Sequence, residues 1–181
     1  MPVTLTVIAI GGMVASAYKG YKEGQAAKKQ GAAEQEAANS QADLSDYNAA
    51  VADLQATDAT ARGAEQESRF RAGIRGMVGA QRSGFAAGNI DVGYGSAVDV
   101  QADTAYTGEL DAQTIKVNAQ REAWGFKVQA VDLRKRADIA RKTGVYAEQA
   151  GRERATGAYI GAAASIAQQG ASLYTAKYGI R

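Results

Sequence analysis

The sequence predicts an all-α protein, built as a long antiparallel helical hairpin with additional Ala/Gly-rich terminal helices and assembling into an oligomer. Apolar residues recur at alternating steps of three and four, and no segment shows the strict apolar–polar alternation of a strand. Blocks of opposite charge also match across a glycine-rich stretch at mid-chain. Because 181 residues include only three Phe and one Trp, we do not expect a wide globular core.

Three segments follow from this pattern. Residues 1–38 form an apolar and then Ala-rich helical segment, of which 1–18 carry no charge. Residues 39–154 form the hairpin, with its turn at 88–95. Residues 155–181 form an Ala/Gly-rich helix that begins with a charge-free run of 22 residues, 155–176. Since no Lys or Arg precedes the apolar N-terminal run, we expect no secretory signal peptide.

Both hairpin arms carry apolar stripes. In the first arm, steps of three and four link Leu44, Tyr47, Val51 and Leu54. In the second arm, a seven-residue repeat links Leu110, Val117, Trp124 and Val131. Because a heptad stripe packs on a partner helix, we assign the four residues of the second stripe to helix packing.

The turn between the arms is rich in glycine. The predicted hinge residues are Gly88, Asn89, Gly93, Gly95 and Ser96. Gly88 and Asn89 suit the C-terminus of a helix, and Ser96 to Asp99 predicts a capping box for the return helix. The stretch lacks the third glycine and the preceding strand of a dinucleotide-binding loop, and no lysine is near for a P-loop. We therefore interpret it as a turn without a ligand.

The charges predict the register of the hairpin. Residues 69–85 carry four arginines and no acid, whereas 99–115 carry four acids and no base. Residues 42–68 carry six acids and one arginine, whereas 116–142 carry eight bases and three acids. These blocks face each other if the numbers of paired residues add to about 184, twice the centre of the turn. Such pairs act on register more than on stability.

Small residues recur every fourth position near both ends of the chain. Those assigned to close helix packing are Gly12, Ser16, Gly20, Gly157 and Gly161. Each glycine inside a helix costs about 1 kcal/mol relative to alanine. Close approach of two helix backbones is the usual compensation.

The two charge-free runs also resemble membrane-interface segments, because Tyr, Lys and Arg flank apolar residues. The predicted membrane-contact residues are Val7, Ile8, Ile10, Met13, Val14, Ile160, Ile166 and Leu173. The predicted interface anchors are Tyr18, Lys19, Tyr21, Lys22, Tyr174, Lys177 and Tyr178. At about 1.5 Å per residue the second run reaches a bilayer thickness of about 30 Å, and the first is shorter. The alternative is burial of both runs within an oligomer.

Catalysis finds little support in the sequence. The chain has no cysteine and no histidine, which excludes thiolate chemistry, histidine acid–base catalysis and the common zinc sites. Glu109 and Asp111 lie two residues apart on a helix and point to different sides, so they do not form a glycosidase pair. We expect no enzyme and no cofactor. Arg134, Lys135 and Arg136 form a basic patch suited to non-specific phosphate contact, although pairing with the acidic first arm also accounts for it.

Residues 79–130 resemble the small internal virion proteins, or ejection proteins, of short-tailed (podovirus) bacteriophages. The resemblance is best from about Ala49 to Gly144. It rests on the small-residue turn before Asp91-Val92, the helix start Gly95-Ser96-Ala97, the segment Gly108-Glu109-Leu110-Asp111-Ala112, Asn118-Ala119, and Arg121-Glu122-Ala123-Trp124-Gly125. Asn89-Ile90 and Gly93-Tyr94 depart from the simpler small residues typical there.

The resemblance implies a protein packaged in the capsid near the portal and then ejected into the host envelope. There it would associate with the outer membrane, in a conduit built with larger ejection proteins and with portal or tail proteins, any wall cleavage belonging to a partner. Two alternatives stay open: a purely structural scaffold of the core or tail, and a core protein that contacts DNA.

Overall fold

The structure is a computed structural model that describes the backbone of residues 2–179 and the side chains of residues 11–175. Helix α1 spans Pro2–Ala87 and helix α2 spans Ser96–Tyr178. The all-α prediction is confirmed, since two long helices pack against each other and residues 2–179 contain no strand. The predicted terminal helices are not separate elements. Both terminal segments simply continue α1 and α2, without a break at any interior glycine.

The chain divides into two compact units. Unit 1 comprises residues 1–45 and 135–181, and unit 2 comprises residues 46–134. In each unit a part of α1 runs antiparallel to a part of α2. The described terminal segments, 2–45 and 135–179, therefore belong to unit 1, whereas the turn belongs to unit 2.

The contact between the helices is built from the smallest side chains. Every buried hydrophobic residue among those described is an alanine, and none of the large side chains described is fully buried. These alanines are Ala42, Ala49, Ala52, Ala56 and Ala59 on α1, and Ala97, Ala112, Ala123, Ala130, Ala137 and Ala155 on α2. In unit 2, Leu133 and Phe126 are partly buried at the edge of this contact. Small residues permit a close approach of the two backbones.

The observed contacts follow the register that the charges predict. In unit 2, Arg62 bonds to Glu122 at 3.1 Å, Arg71 bonds to Glu109, and Arg134 bonds to Asp53. In unit 1, Arg141 bonds to Asp43 at 3.1 Å. The residue numbers of these pairs add to values close to 184, so the predicted register is confirmed within both units.

Two of the three described residues with a left-handed backbone lie in the turn, and the third, Gly179, follows the end of α2. Asn89 has a φ of 56° and Gly95 a φ of 69°. The N–H of Asn89 donates to the carbonyl of Ala86 at 3.1 Å, and the N–H of Ile90 donates to that of Phe85 at 2.9 Å. This is the Schellman arrangement, with Asn89 rather than a glycine at the left-handed position.

The start of α2 differs slightly from the predicted capping box. The N–H of Asp99 donates to the carbonyl of Gly95 at 3.3 Å, so the first helical hydrogen bond already begins at Gly95. Within the loop, the carboxylate of Asp91 accepts a hydrogen bond from the N–H of Gly93 at 2.9 Å. The loop polar groups are thus used to close the turn.

Candidate assembly and membrane-contact surfaces

Small residues hold the terminal segments together in unit 1. A Cβ built on Gly20 would lie 2.3 Å from the Cβ of Ala162, closer than two carbons can approach. Ser16 accepts a hydrogen bond from the amide of Gln169 at 3.1 Å and donates one to the carbonyl of Gly12. Gly12, Ser16 and Gly20 therefore face α2.

The glycines assigned to packing on the second segment behave differently. A Cβ on Gly157 or Gly161 would meet nothing within 4 Å, so neither faces α1. The close approach is made instead by Gly151, whose added Cβ would lie 2.9 Å from the Cα of Gly31. This pair is not among the residues predicted from the sequence, although a seven-residue repeat of small residues leads to Gly151 through Ala130, Ala137 and Gly144.

Several predicted membrane-contact side chains lie on the outside of unit 1. Val14 is 65% exposed and Ile160 64% exposed, whereas Met13, Ile166 and Leu173 are half-buried. The side chains of Val7, Ile8 and Ile10 lie outside the described residues. Unit 1 thus presents part of the predicted apolar surface and uses another part to join its two helices.

The predicted interface anchors are also exposed where they are described. Tyr18, Tyr21 and Tyr174 are all more than half exposed. The ammonium group of Lys22 lies 5.2 Å from the ring centre of Tyr18, a cation–π distance, and Lys19 pairs with Glu23 at 3.9 Å. The side chains of Lys177 and Tyr178 are not among those described.

Neither helix contains, within the residues described, a stretch that is both long and apolar enough to cross a bilayer. The length of the charge-free run at 155–176 is sufficient, but Gln168, Gln169 and its many small residues lower its hydropathy.

The predicted heptad of α2 lies on the outside of unit 2. Trp124 is 68% exposed, and Leu110, Val117 and Val131 are each 41–48% exposed. These four residues therefore do not pack between α1 and α2, and alanines one position earlier, such as Ala123 and Ala130, occupy that contact. The physical reason is size, because the closest part of the contact, as at Gly63 and Ala119, leaves no room for a large side chain. Larger residues of this contact, such as Leu133 and Phe126, are only partly buried beside the alanines.

The apolar stripe of α1 is outward as well. Leu54 is 70% exposed and Tyr47 68% exposed in unit 2, and Leu44 is 65% exposed in unit 1. Unit 2 therefore has an apolar stripe on the outer side of each helix, in addition to the alanine contact between them. Exposed apolar side chains that lie along one helix face are typical of interaction sites.

The basic patch is partly neutralised within the chain. Arg134 bonds to Asp53 across the hairpin, and Arg136 also interacts with other groups. Lys135 is exposed. Because Arg134 is already paired, less positive charge is available to bind phosphate than the three consecutive basic residues suggest.

Glu109 belongs to an ion pair rather than to a carboxylate pair. Its carboxylate accepts a hydrogen bond from the Nε of Arg71 at 3.0 Å. This hydrogen bond, with the charge of Arg71, lowers the pKa of Glu109 below its ordinary value and outweighs the opposing effect of burial. Arg71 also pairs with Glu67 at 2.9 Å. Arg71 and Glu109 line a shallow cavity of about 310 Å³.

No cluster of acidic side chains suited to a metal ion is present among the described residues. The side chains that distinguish this molecule are the exposed apolar ones. Comparison with family models, with curated proteins and with solved structures found no match.

Proposed function

We propose that the chain is an internal virion (ejection) protein of a short-tailed bacteriophage, packaged near the portal and released into the host at infection. It then helps to form a membrane-associated conduit for genome delivery. The observation that carries this proposal is the distribution of side-chain size. The buried residues of the contact between the helices are mostly alanine and glycine, and the large apolar side chains described are exposed or only half-buried.

This distribution suits a protein that functions by assembly. A chain with a narrow alanine contact buries little apolar area by itself, and its outward side chains gain stability from burial against partners. The partners in the proposal are further copies of the chain, larger ejection proteins, and portal or tail proteins. Wall cleavage belongs to one of these partners, so the chain itself is proposed as a non-enzyme without a cofactor.

Contact with the outer membrane is assigned to unit 1. Both terminal segments lie in this unit and carry exposed apolar and aromatic side chains, among them Val14, Tyr18 and Ile160. Tyrosine beside lysine, as at Tyr18 and Lys22, is typical of a membrane interface. We propose that the helices enter the membrane surface as a packed assembly, since small residues already join them tightly.

The glycine content fits delivery through a narrow tail. A chain that passes through such a tail must unfold and refold, and helices that contain many glycines are marginally stable on their own. The proposal therefore expects the isolated chain to melt below about 65 °C, within or under the range of ordinary domains.

Dye release from vesicles tests the membrane role. The vesicles contain phosphatidylethanolamine, phosphatidylglycerol and lipopolysaccharide. The test variant replaces Val14, Tyr18, Tyr21 and Ile160 by serine, and the matched control replaces the exposed turn residues Ile90 and Tyr94 by serine. We expect the intact chain and the control to release dye, and the test variant to be at least tenfold slower. Equal release by the test variant would show that the terminal side chains do not act on membranes.

A purely structural scaffold is the second candidate, and the finding that no described helix could span a bilayer favours it. In this case the outward stripes pack only against protein inside the particle. Vesicle binding by the intact chain would then be absent even at high protein concentration. The third candidate, a DNA-contacting protein, predicts a salt-sensitive gel shift that disappears when Arg134, Lys135 and Arg136 are neutralised.

A further inference from the structure

The outer faces of the two helices in unit 2 have different chemistry. The inward alanines of α1 include Ala52, Ala56 and Ala59. At 100° per residue, the opposite side of α1 carries the residues that we call the α1 seam. They are Val51, Leu54, Asp58, Ala61, Glu65, Ser68 and Ala72. Apart from the half-buried Val51, all of them are exposed.

The opposite side of α2 carries a second series of residues, which we call the α2 seam. They are Leu110, Thr114, Val117, Arg121, Trp124, Val128 and Val131. All of them are exposed. Both seams have the alternating three- and four-residue steps of a coiled-coil contact. Each helix of unit 2 therefore has two packing faces, and the hairpin uses only one of them.

The charges of the two seams are opposite. Asp58 and Glu65 stand on the α1 seam with side chains 66% and 61% exposed. Their partners in the chain, Arg62 and Arg69, are on the same helix one turn away, and such exposed pairs contribute only about 0.3–0.5 kcal/mol. On the α2 seam, Arg121 has no ion-pair partner among the described residues, and neither has the adjacent Lys127.

The seams also match in height. If copies stand side by side around an axis parallel to the helices, a neighbour's α2 lies at the same height as the chain's own α2. Facing residues then keep the register observed within unit 2, where Arg62 pairs with Glu122. This register places Trp124 opposite Ala61, a large side chain against a small one.

The same register brings the charges together. Along the helix axis, Arg121 of one copy lies between Asp58 and Glu65 of the next copy. Lys127 lies level with Asp58. At the next turns, Val128 and Val131 stand at the height of Leu54 and Val51. The match therefore includes apolar, charged and size complementarity over the same stretch.

The geometry points to direct association of copies through these seams, the α1 seam of one copy packing on the α2 seam of the next. Because the two surfaces differ, the contact is heterologous, and its repetition gives a ring when the rotation between neighbouring copies closes and an open filament when it does not. A dimer formed by two α2 seams is disfavoured. In the antiparallel pairing of this seam with itself, Arg121 of one copy would lie opposite Arg121 of the other, and the two like charges would repel. The inference rests on the oligomer required by the proposed function and names its surfaces.

Disulfide trapping tests the contact, because the chain has no native cysteine. The variant combines Ser68→Cys with Val117→Cys, two exposed positions at equal height on opposite outer faces. Since the two thiols cannot meet within one chain, mild oxidation is expected to give a ladder of covalent multimers beyond the dimer. The matched control combines Ser68→Cys with Val131→Cys, which moves one thiol by about 21 Å along the helix. The control is expected to form no disulfide between copies and to run as a single chain under denaturing, non-reducing conditions.

The results of this experiment distinguish a heterologous contact from a two-fold contact and from no contact between copies. A ladder that stops at the dimer would indicate a two-fold contact and overturn the heterologous arrangement. Absence of covalent multimers in both variants would overturn the contact between copies. This is also the result expected if a different protein covers the seams. Because dye release is measured separately on the intact chain, an active protein without the ladder would refute this inference and leave the proposed function in place.

Charge reversal provides a second test. One variant combines Asp58→Arg with Glu65→Arg, and the other combines Arg121→Glu with Lys127→Glu. Each alone would place like charges across the contact, so sedimentation is expected to give the mass of a single folded chain, with helicity unchanged by far-UV circular dichroism. Their equimolar mixture should regain the assembled mass. A mixture that stays monomeric, or single variants that assemble normally, would contradict the assigned charge pairs.

Discussion

Gly63 provides a direct test of the close contact between the helices. A Cβ built on Gly63 would lie 2.1 Å from the Cβ of Ala119. Gly63→Ala gains about 1 kcal/mol in helix propensity, but overpacking costs about 1–3 kcal/mol. Because the clash is severe, we take the upper half of that range and expect a net loss of about 1–2 kcal/mol. For a chain of this length the melting temperature falls by about 2–8 °C.

Two further variants separate packing from propensity. Gly63→Ala combined with Ala119→Gly exchanges the two residues, and we expect its stability to return to within about 0.5 kcal/mol of the wild type. Gly76→Ala gains propensity without a clash, since its added Cβ meets nothing within 4 Å, and we expect it to be stabilised by about 1 kcal/mol. Urea unfolding at one fixed protein concentration measures all three. If Gly63→Ala stabilised the chain as much as Gly76→Ala, the close approach would be wrong.

Three other predictions concern stability. The lowered pKa of Glu109 means that its pair with Arg71 stabilises the fold above the ordinary glutamate pKa of about 4.3 and loses this effect as the pH falls through the lowered value. The difference in urea midpoint between wild type and Glu109→Gln should therefore shrink in acid; a constant difference from neutral pH to strong acid would contradict it. Asn89→Val should destabilise the chain by about 1–2 kcal/mol in urea unfolding, because the φ of 56° at this position disfavours a β-branched side chain. Asn89→Gly should be tolerated. Equal stability of the two variants would argue against the left-handed turn. Calorimetry of the isolated chain should give a melting temperature below about 65 °C, and a cooperative transition well above it would remove the argument for refolding during ejection.

The sequence was sufficient for the register and the helical class. Charges on facing arms add only weakly to stability, but wrong registers would oppose like charges, so the blocks at 69–85 and 99–115 carried a clear signal. The turn was also recognisable from Gly88 to Ser96, because glycine and asparagine permit left-handed backbone. These features depend on local chemistry, which sequence displays directly.

The face of each helix that forms the hairpin contact could not be inferred from the large apolar residues. The heptad of Trp124 and Val131 is a strong pattern, and it predicts packing on a partner helix. The actual contact uses Ala123 and Ala130, one position earlier. Alanine is common on all sides of both helices, so its seven-residue repeat is difficult to distinguish from the other alanines in the sequence. Only the spacing of the two backbones decides that the small face is inside.

The proposed function is tested most directly by following the chain through infection. Mass spectrometry of purified phage particles, followed by fractionation of host cells infected while protein synthesis is blocked, would locate it before and after ejection. We expect the chain inside intact particles and then in the outer-membrane fraction of the host. A chain that is missing from purified particles, or that stays with the empty capsids after DNA release, would contradict the account.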